Sequence, residues 1–253
     1  MDGDSSRNEI GHPPLPVQST YWTQAGDRQG VVNGMFDRSA RHYDRVSNIF
    51  SFGSGRSYRH AALERAGLDA GMTVLDVGTG TGLLAREAAA VVGSSGRVTG
   101  IDPSFQMMTA GRTRAAVHFV QGLGERLPFA NSRFDFVTMG YALRHVSDLD
   151  LLFAEYARVL KPNGRVLLLE ITKPASTVGS ALARTYFGTI VPRVTRLITG
   201  SADASRLMRF YWDTIAQCVA PPVILAALTR AGFNSERTVI AGIFSEYSGT
   251  RRK

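Results

Sequence analysis

The chain has a single cysteine, Cys218, among 253 residues. One thiol cannot close an internal disulfide, and cysteines cannot assemble a metal centre here. No metal ligands are expected. Acidic residues are also few, 21 against 29 Lys and Arg, which leaves a formal charge of +8. The basic residues are dispersed, apart from Arg251-Arg252-Lys253, and no basic patch is interleaved with aromatics. Nucleic acid is therefore not the expected partner. No apolar run approaches the ~20 residues of a membrane span. The opening Met1-Asp2-Gly3-Asp4 is acidic and leads into no apolar core, so it matches neither a secretory signal nor a mitochondrial presequence. A cytoplasmic protein is expected by default, with peripheral contact at a membrane surface left open.

Two phosphate-binding signatures are missing as well. The dinucleotide fingerprint G-x-G-x-x-G would need glycine at position 83, where Leu83 stands, and no G-K-[ST] follows. What does stand there is Asp76-Val77-Gly78-Thr79-Gly80-Thr81-Gly82, and the chain is organised around it. Residues 72–77 are short and apolar and read as a buried parallel strand. Residues 83–92 are rich in Ala, with apolar residues at helical spacing, and read as a helix. The glycines between them let a ligand lie on bare backbone beside a helix N-terminus. A carboxylate at Asp76 suits a cation or an amino group. Residues 98–102 form a second apolar run ending in Asp102, which can accept both hydroxyls of a ribose. Ser104 then caps the next helix.

The hydrophobic content of 44% suits one α/β domain with a full core. Further strands are expected at 117–121, 134–139 and 165–170. A helix at 148–160 carries a single apolar stripe, ended by the turn Lys161-Pro162-Asn163-Gly164. Two closing strands fall at 238–240 and 242–244. Alternating strands and helices give a doubly wound parallel sheet, seven strands in all, with ligands beyond the C-terminal strand ends. Residues 1–34 are rich in Gly, Ser and Pro and read as a flexible tail. Two helices within 35–67, broken at Phe50-Ser51-Phe52-Gly53, are placed to form a lid over the glycine turn. Residues 172–220 leave the alternation; they are apolar, aromatic and helical in pattern, the natural substrate cap.

The pattern D-x-G-x-G-x-G resembles motif I of the class I S-adenosylmethionine (SAM) methyltransferases. A closer likeness lies in four stretches. They are Met35-Phe36-Asp37-Arg38-Ser39-Ala40-Arg41-His42-Tyr43-Asp44, Leu127-Pro128-Phe129 with Phe134-Asp135, Leu143-Arg144-His145-Val146-Ser147-Asp148, and Arg158-Val159-Leu160-Lys161-Pro162-Asn163-Gly164-Arg165. Together they resemble the ubiquinone/menaquinone biosynthesis C-methyltransferases over residues 35–247. The resemblance implies a Rossmann-like fold, SAM as cofactor and a hydrophobic acceptor, a quinol or other aromatic. It places SAM at Asp76, Gly78, Gly80, Thr81, Gly82, Asp102, Leu123, Gly124 and Gly140. Position 123 is usually polar in that family, and the Asn of its L-R-N motif is His145 here.

Arg144 and His145 follow the fourth strand, where such enzymes meet the acceptor. Arg144 is expected to stabilise a phenolate or orient a water, and His145 to take the proton. A salt bridge from Arg144 to Asp148 is the structural alternative. Tyr43 and Asp44 are expected to close the lid and touch the carboxypropyl end of SAM or the acceptor, which places Tyr43 with Arg144 and His145 among the expected catalytic residues. Other readings stay open: O- or N-methylation of a small aromatic metabolite, RNA methylation, a non-catalytic methyltransferase-like subunit, and a homodimer.

Overall fold

Val74 and Leu75 are neighbours on one strand and face opposite helical layers, and the whole architecture repeats that division. The computed structural model describes residues 13–15, 20–22, 25–51, 53–111 and 117–253. Five parallel strands come first: β1 (Thr73–Val77), β2 (Arg97–Asp102), β3 (His118–Gln121), β4 (Phe134–Gly140) and β5 (Leu160–Ile171). Two antiparallel strands, β6 (Phe233–Ile240) and β7 (Phe244–Arg251), complete a seven-stranded sheet in the order β3-β2-β1-β4-β5-β7-β6. The helices are α1 (Arg28–Phe50), α2 (Gly55–Arg65), α3 (Leu83–Val92), α4 (Phe105–Gly111), α5 (Leu149–Val159), α6 (Thr177–Thr185), α7 (Val191–Thr199), α8 (Ala202–Gln217) and α9 (Pro221–Arg230).

Side chains alternate across a strand, so each β-strand serves two cores. Val74, Phe136, Leu167 and Leu169 pack against Leu63 of α2 and Ala85 and Ala88 of α3. Leu75, Val77, Val137, Val166 and Leu168 pack against Phe153 and Tyr156 of α5 and Leu228 of α9. Local chemistry sets the helix starts. The Asp148 side chain accepts from the backbone N–H groups of Asp150 and Leu151, and α9 opens on Pro221 and Pro222, whose fixed φ suits a first turn.

The N-terminal reading needs correction. The first helix starts at Arg28, not Met35. Leu15 and Trp22 are buried in a cluster with Leu207 and Phe210 of α8, and the Tyr21 hydroxyl donates to Asp213 at 2.5 Å. A Pro- and Gly-rich composition hides such anchors, because three apolar side chains suffice to fix a strap once a partner helix offers a groove. Residues 1–12, 16–19 and 23–24 of the expected tail, and Phe52 of the helix break, lie outside the described residues. The closing strands also differ from expectation. Ala241 and Gly242, at φ 50° and 74°, make the hairpin turn, and the last strand runs on to Arg251. Its alternation of small polar residues masked a central strand whose Ser245 and Tyr247 are fully buried. Arg251 of the basic tail is therefore a strand residue opposite Phe233.

Candidate active site

Gly78, Gly80 and Gly82 follow β1 with φ of 65°, 55° and 80°, a region that side chains with a Cβ avoid. A Cβ on Gly78 would lie 2.6 Å from that of Ala142. This cradle of bare backbone at the start of α3 fits the amino acid end of SAM.

The two acids flank it. Asp76 accepts the Thr79 hydroxyl on Oδ2 and the Thr138 hydroxyl on Oδ1, both at 2.7 Å. Asp102 accepts the backbone N–H groups of Gly80 and Ser104, both at 2.8 Å. Burial pushes each carboxyl up to about 6, and these hydrogen bonds hold the rise in check.

Helix α1 is pinned above this turn. Asp37 accepts the Ser104 hydroxyl, and Asp44 accepts the Thr81 hydroxyl while pairing with Arg86 at 3.1 Å. Residues of α1, of the glycine turn and of the cap line one cavity of about 1080 Å³. Of the sequence-predicted site residues, Tyr43, Asp76, Gly78, Gly80, Thr81, Asp102, Leu123, Gly124, Gly140, Arg144 and His145 line it; Gly82 does not, although its neighbours Thr81 and Leu83 do. Their local reasons differ. Gly124 is a glycine for packing, since a Cβ there would meet Leu152 and Val77 at 2.7 and 2.8 Å. Leu123 stands 41% exposed at the rim.

Arg144 sits in a short 3-10 turn, residues Leu143–His145, and is fully buried. It does not pair with Asp148. Its Nη1 bonds Glu170 at 2.7 Å, its Nε bonds the Thr214 hydroxyl at 3.1 Å, and its guanidinium lies over the Tyr211 ring at 4.7 Å. Nη2 is buried with no hydrogen-bond partner in the protein, on a side chain that lines the cavity. Tyr43 and Tyr211 share a hydrogen bond of 2.7 Å between their hydroxyls. The His145 ring stacks on Phe210 at 5.3 Å, and both ring nitrogens are buried without partners. Burial, then the charges of Arg144 and Arg28, hold His145 well below the ordinary histidine pKa. His145 is therefore a neutral ring at ordinary pH, with no protein partner on either nitrogen. Among the described residues, no three His, Cys, Asp or Glu side chains gather as metal ligands.

Glu170, Tyr211 and Thr214 were missed as site residues. Glu170 stands one residue before the end of β5, so its position gave a signal; the other two are scattered in the aromatic pattern of the cap, which gives none.

A glycine cradle between two buried acids, on a sheet of this order, defines a class I SAM-dependent methyltransferase. The chain belongs to the ubiE/COQ5 methyltransferase family, whose model matches residues 22–249. It is 35% identical over 188 residues to the ubiquinone/menaquinone biosynthesis C-methyltransferase UbiE of Shewanella piezotolerans, covering 72% of this chain and 75% of that one. It is 32% identical over 210 residues to the protein of the same name from Shewanella oneidensis, covering 80% of each. The fold is shared with a solved SAM-dependent methyltransferase from Aquifex aeolicus, at a TM-score of 0.56 and 20% identity over 76% of this chain and 88% of that one.

Proposed function

We propose that the chain methylates a ring carbon of a (poly)prenylated quinol in ubiquinone or menaquinone biosynthesis. The observation that carries this reading is the far half of the cavity. Beyond the glycine turn it runs under the cap between Phe50, Tyr58, Tyr186, Phe187, Ile215 and Phe244. That lining suits an aromatic ring with an apolar chain. Single-ligand sites span roughly 300–1,000 Å³, so a cavity of about 1080 Å³ has room for a donor and an acceptor together. Relatives with quinone-biosynthesis names support the same substrate class.

When bound, SAM supplies an electrophilic methyl group. The glycine turn, Asp76 and Asp102 hold it, and α1 excludes water. Alignment of two reactants contributes up to about 7–11 kcal/mol. The acceptor must also be activated, because a phenol loses its proton near pH 10. Arg144 does this: its remaining N–H groups donate to the quinol oxygen, favour the phenolate and orient a water that carries the proton away. Glu170 and Thr214 hold the guanidinium in place. Tyr43 and Tyr211 present their paired hydroxyls beside it. His145 contributes a neutral, hydrogen-bonding wall.

The test is to incubate purified protein with SAM and a demethylated prenylquinol, then to locate the methyl group in the product by mass spectrometry and NMR. Methyl on a ring carbon is expected; methyl on oxygen overturns the C-methylation. Cells lacking the gene should accumulate the demethylated quinone, and an unchanged quinone pool counts against the substrate class.

A further inference from the structure

We propose that the outer face of α6 and α7 is an interfacial docking surface for an anionic lipid bilayer. Four large apolar side chains stand in water there: Val178, Leu182, Ile190 and Leu197, at 71, 66, 44 and 84% exposure. Single exposed apolar residues are ordinary. These are patterned. Val178 and Leu182 are i, i+4 on α6, and Ile190 and Leu197 are i, i+7 across the π-helical turn, residues Tyr186–Ile190, into α7. Both pairs lie on the side away from Ala183, Val191, Pro192 and Thr195, which are buried.

Charge points to the same partner. Residues 172–201 contain Lys173, Arg184, Arg193 and Arg196 and no Asp or Glu, and all four cations are exposed. The next carboxylate, Asp203, is paired with Arg38 at 3.2 Å. Arg193 falls between Ile190 and Leu197 at helical spacing. Its aliphatic stem can follow the apolar face while the head reaches lipid phosphate. A second copy of the chain is a poorer occupant, because a two-fold contact would set this face against itself and oppose the same cations.

The face also meets the cavity. Leu182 is two-thirds exposed and lines the cavity, with Ala183 and Tyr186 deeper on the same wall. The cavity therefore opens beside the surface that would rest on lipid. This part rests on the proposed function: an acceptor with an isoprenoid chain would pass from bilayer to site without crossing water.

The test uses the full chain with vesicles of phosphatidylcholine alone or mixed with phosphatidylglycerol. Wild type should sediment with the mixed vesicles, less so at high salt. Val178→Glu/Leu197→Glu should lower partitioning by about tenfold or more. Arg193→Gln/Arg196→Gln should remove the preference for anionic lipid. Neither pair lines the cavity, so both variants should melt like wild type and methylate a short-chain, soluble quinol at the same rate. The proposal is overturned if wild type ignores mixed vesicles, or if the Glu variant binds them as well as wild type does. It is also overturned if sedimentation velocity shows a wild-type dimer that the Glu variant breaks while vesicles go unbound. Loss of quinol turnover with vesicle binding intact would instead count against the substrate, and the docking surface would stand.

Discussion

Nη1 of Arg144 lies 2.7 Å from Oε2 of Glu170, and the two side chains are 1 and 3% exposed. An ion pair this deep is held in place by its surroundings, and removing one partner strands the other charge. That typically costs about 3–5 kcal/mol, whereas replacing both by apolar groups can be neutral. Glu170→Gln should lower the unfolding free energy by about that much, and Arg144→Met should do the same. Arg144→Met/Glu170→Leu should recover most of it. Turnover should be lost in every variant that lacks Arg144, while SAM binding by calorimetry persists. A double variant with normal turnover would remove Arg144 from the chemistry.

His145 is a separate case, because its neighbours oppose its protonation. Arg144 and Arg28 both lower its pKa, on top of desolvation. Its folded pKa lies below its unfolded one, so at acidic pH the unfolded chain binds the extra proton. The stability cost appears as pH falls through the ordinary histidine range near 6.5 and is absent above it. His145→Asn should therefore flatten the loss of stability below that pH. It should leave the shape of the pH–rate profile unchanged, with rates within a few-fold of wild type. A limb of that profile that disappears in His145→Asn would instead identify the histidine as the base.

The sheet was readable in the sequence because buried parallel strands are short apolar runs with sharp ends. The helix 83–92 matched residue for residue, since Gly82 and Gly93 bound it on either side. The cofactor half was readable for a related reason: the glycines at positive φ have no substitute. The acceptor half was less so. Arg144 was visible, but Glu170 was not seen as its partner: the alternative weighed was Asp148, which is near in sequence, whereas Glu170 is near in space, across β4 and β5. Tyr211 and Thr214 come from a cap helix whose spacing reports which residues are buried and not what they touch. The strap through Leu15 and Trp22 was lost in a composition that reads as tail.

Asp44 joins α1 to the glycine turn through the Thr81 hydroxyl and through Arg86. Arg86 also donates to the Thr81 carbonyl at 2.8 Å. Hydrogen bonds to a charged group contribute about 1.5–3 kcal/mol each. Asp44→Asn and Arg86→Met should each raise the SAM dissociation rate by about tenfold, and the double variant should do little more, since both act on one contact. Amide exchange in α1 should quicken in the same variants. Faster cofactor release with unchanged exchange in α1 would mean that the latch is not what retains the ligand.

Asp76 and Asp102 both rise from 3.8 to about 6, with burial the largest cause. Between about pH 4 and 6 the folded chain keeps protons that the unfolded chain has released. The stability of the protein without cofactor should therefore fall as pH rises through that window and level off above it. Cofactor affinity should move the other way. SAM is cationic at its sulfonium and amino group, and the acids attract it only when ionised, so binding should strengthen from pH 5 to pH 7. Thr138 gives a control on the assignment, because its hydroxyl donates to Asp76 and lowers that pKa. Thr138→Val removes the donor, which should carry the midpoint of SAM binding to higher pH and weaken the fold at pH 7. Calorimetric affinities that stay flat across this range, or a Thr138→Val midpoint that does not rise, would mean that neither acid titrates where its burial places it.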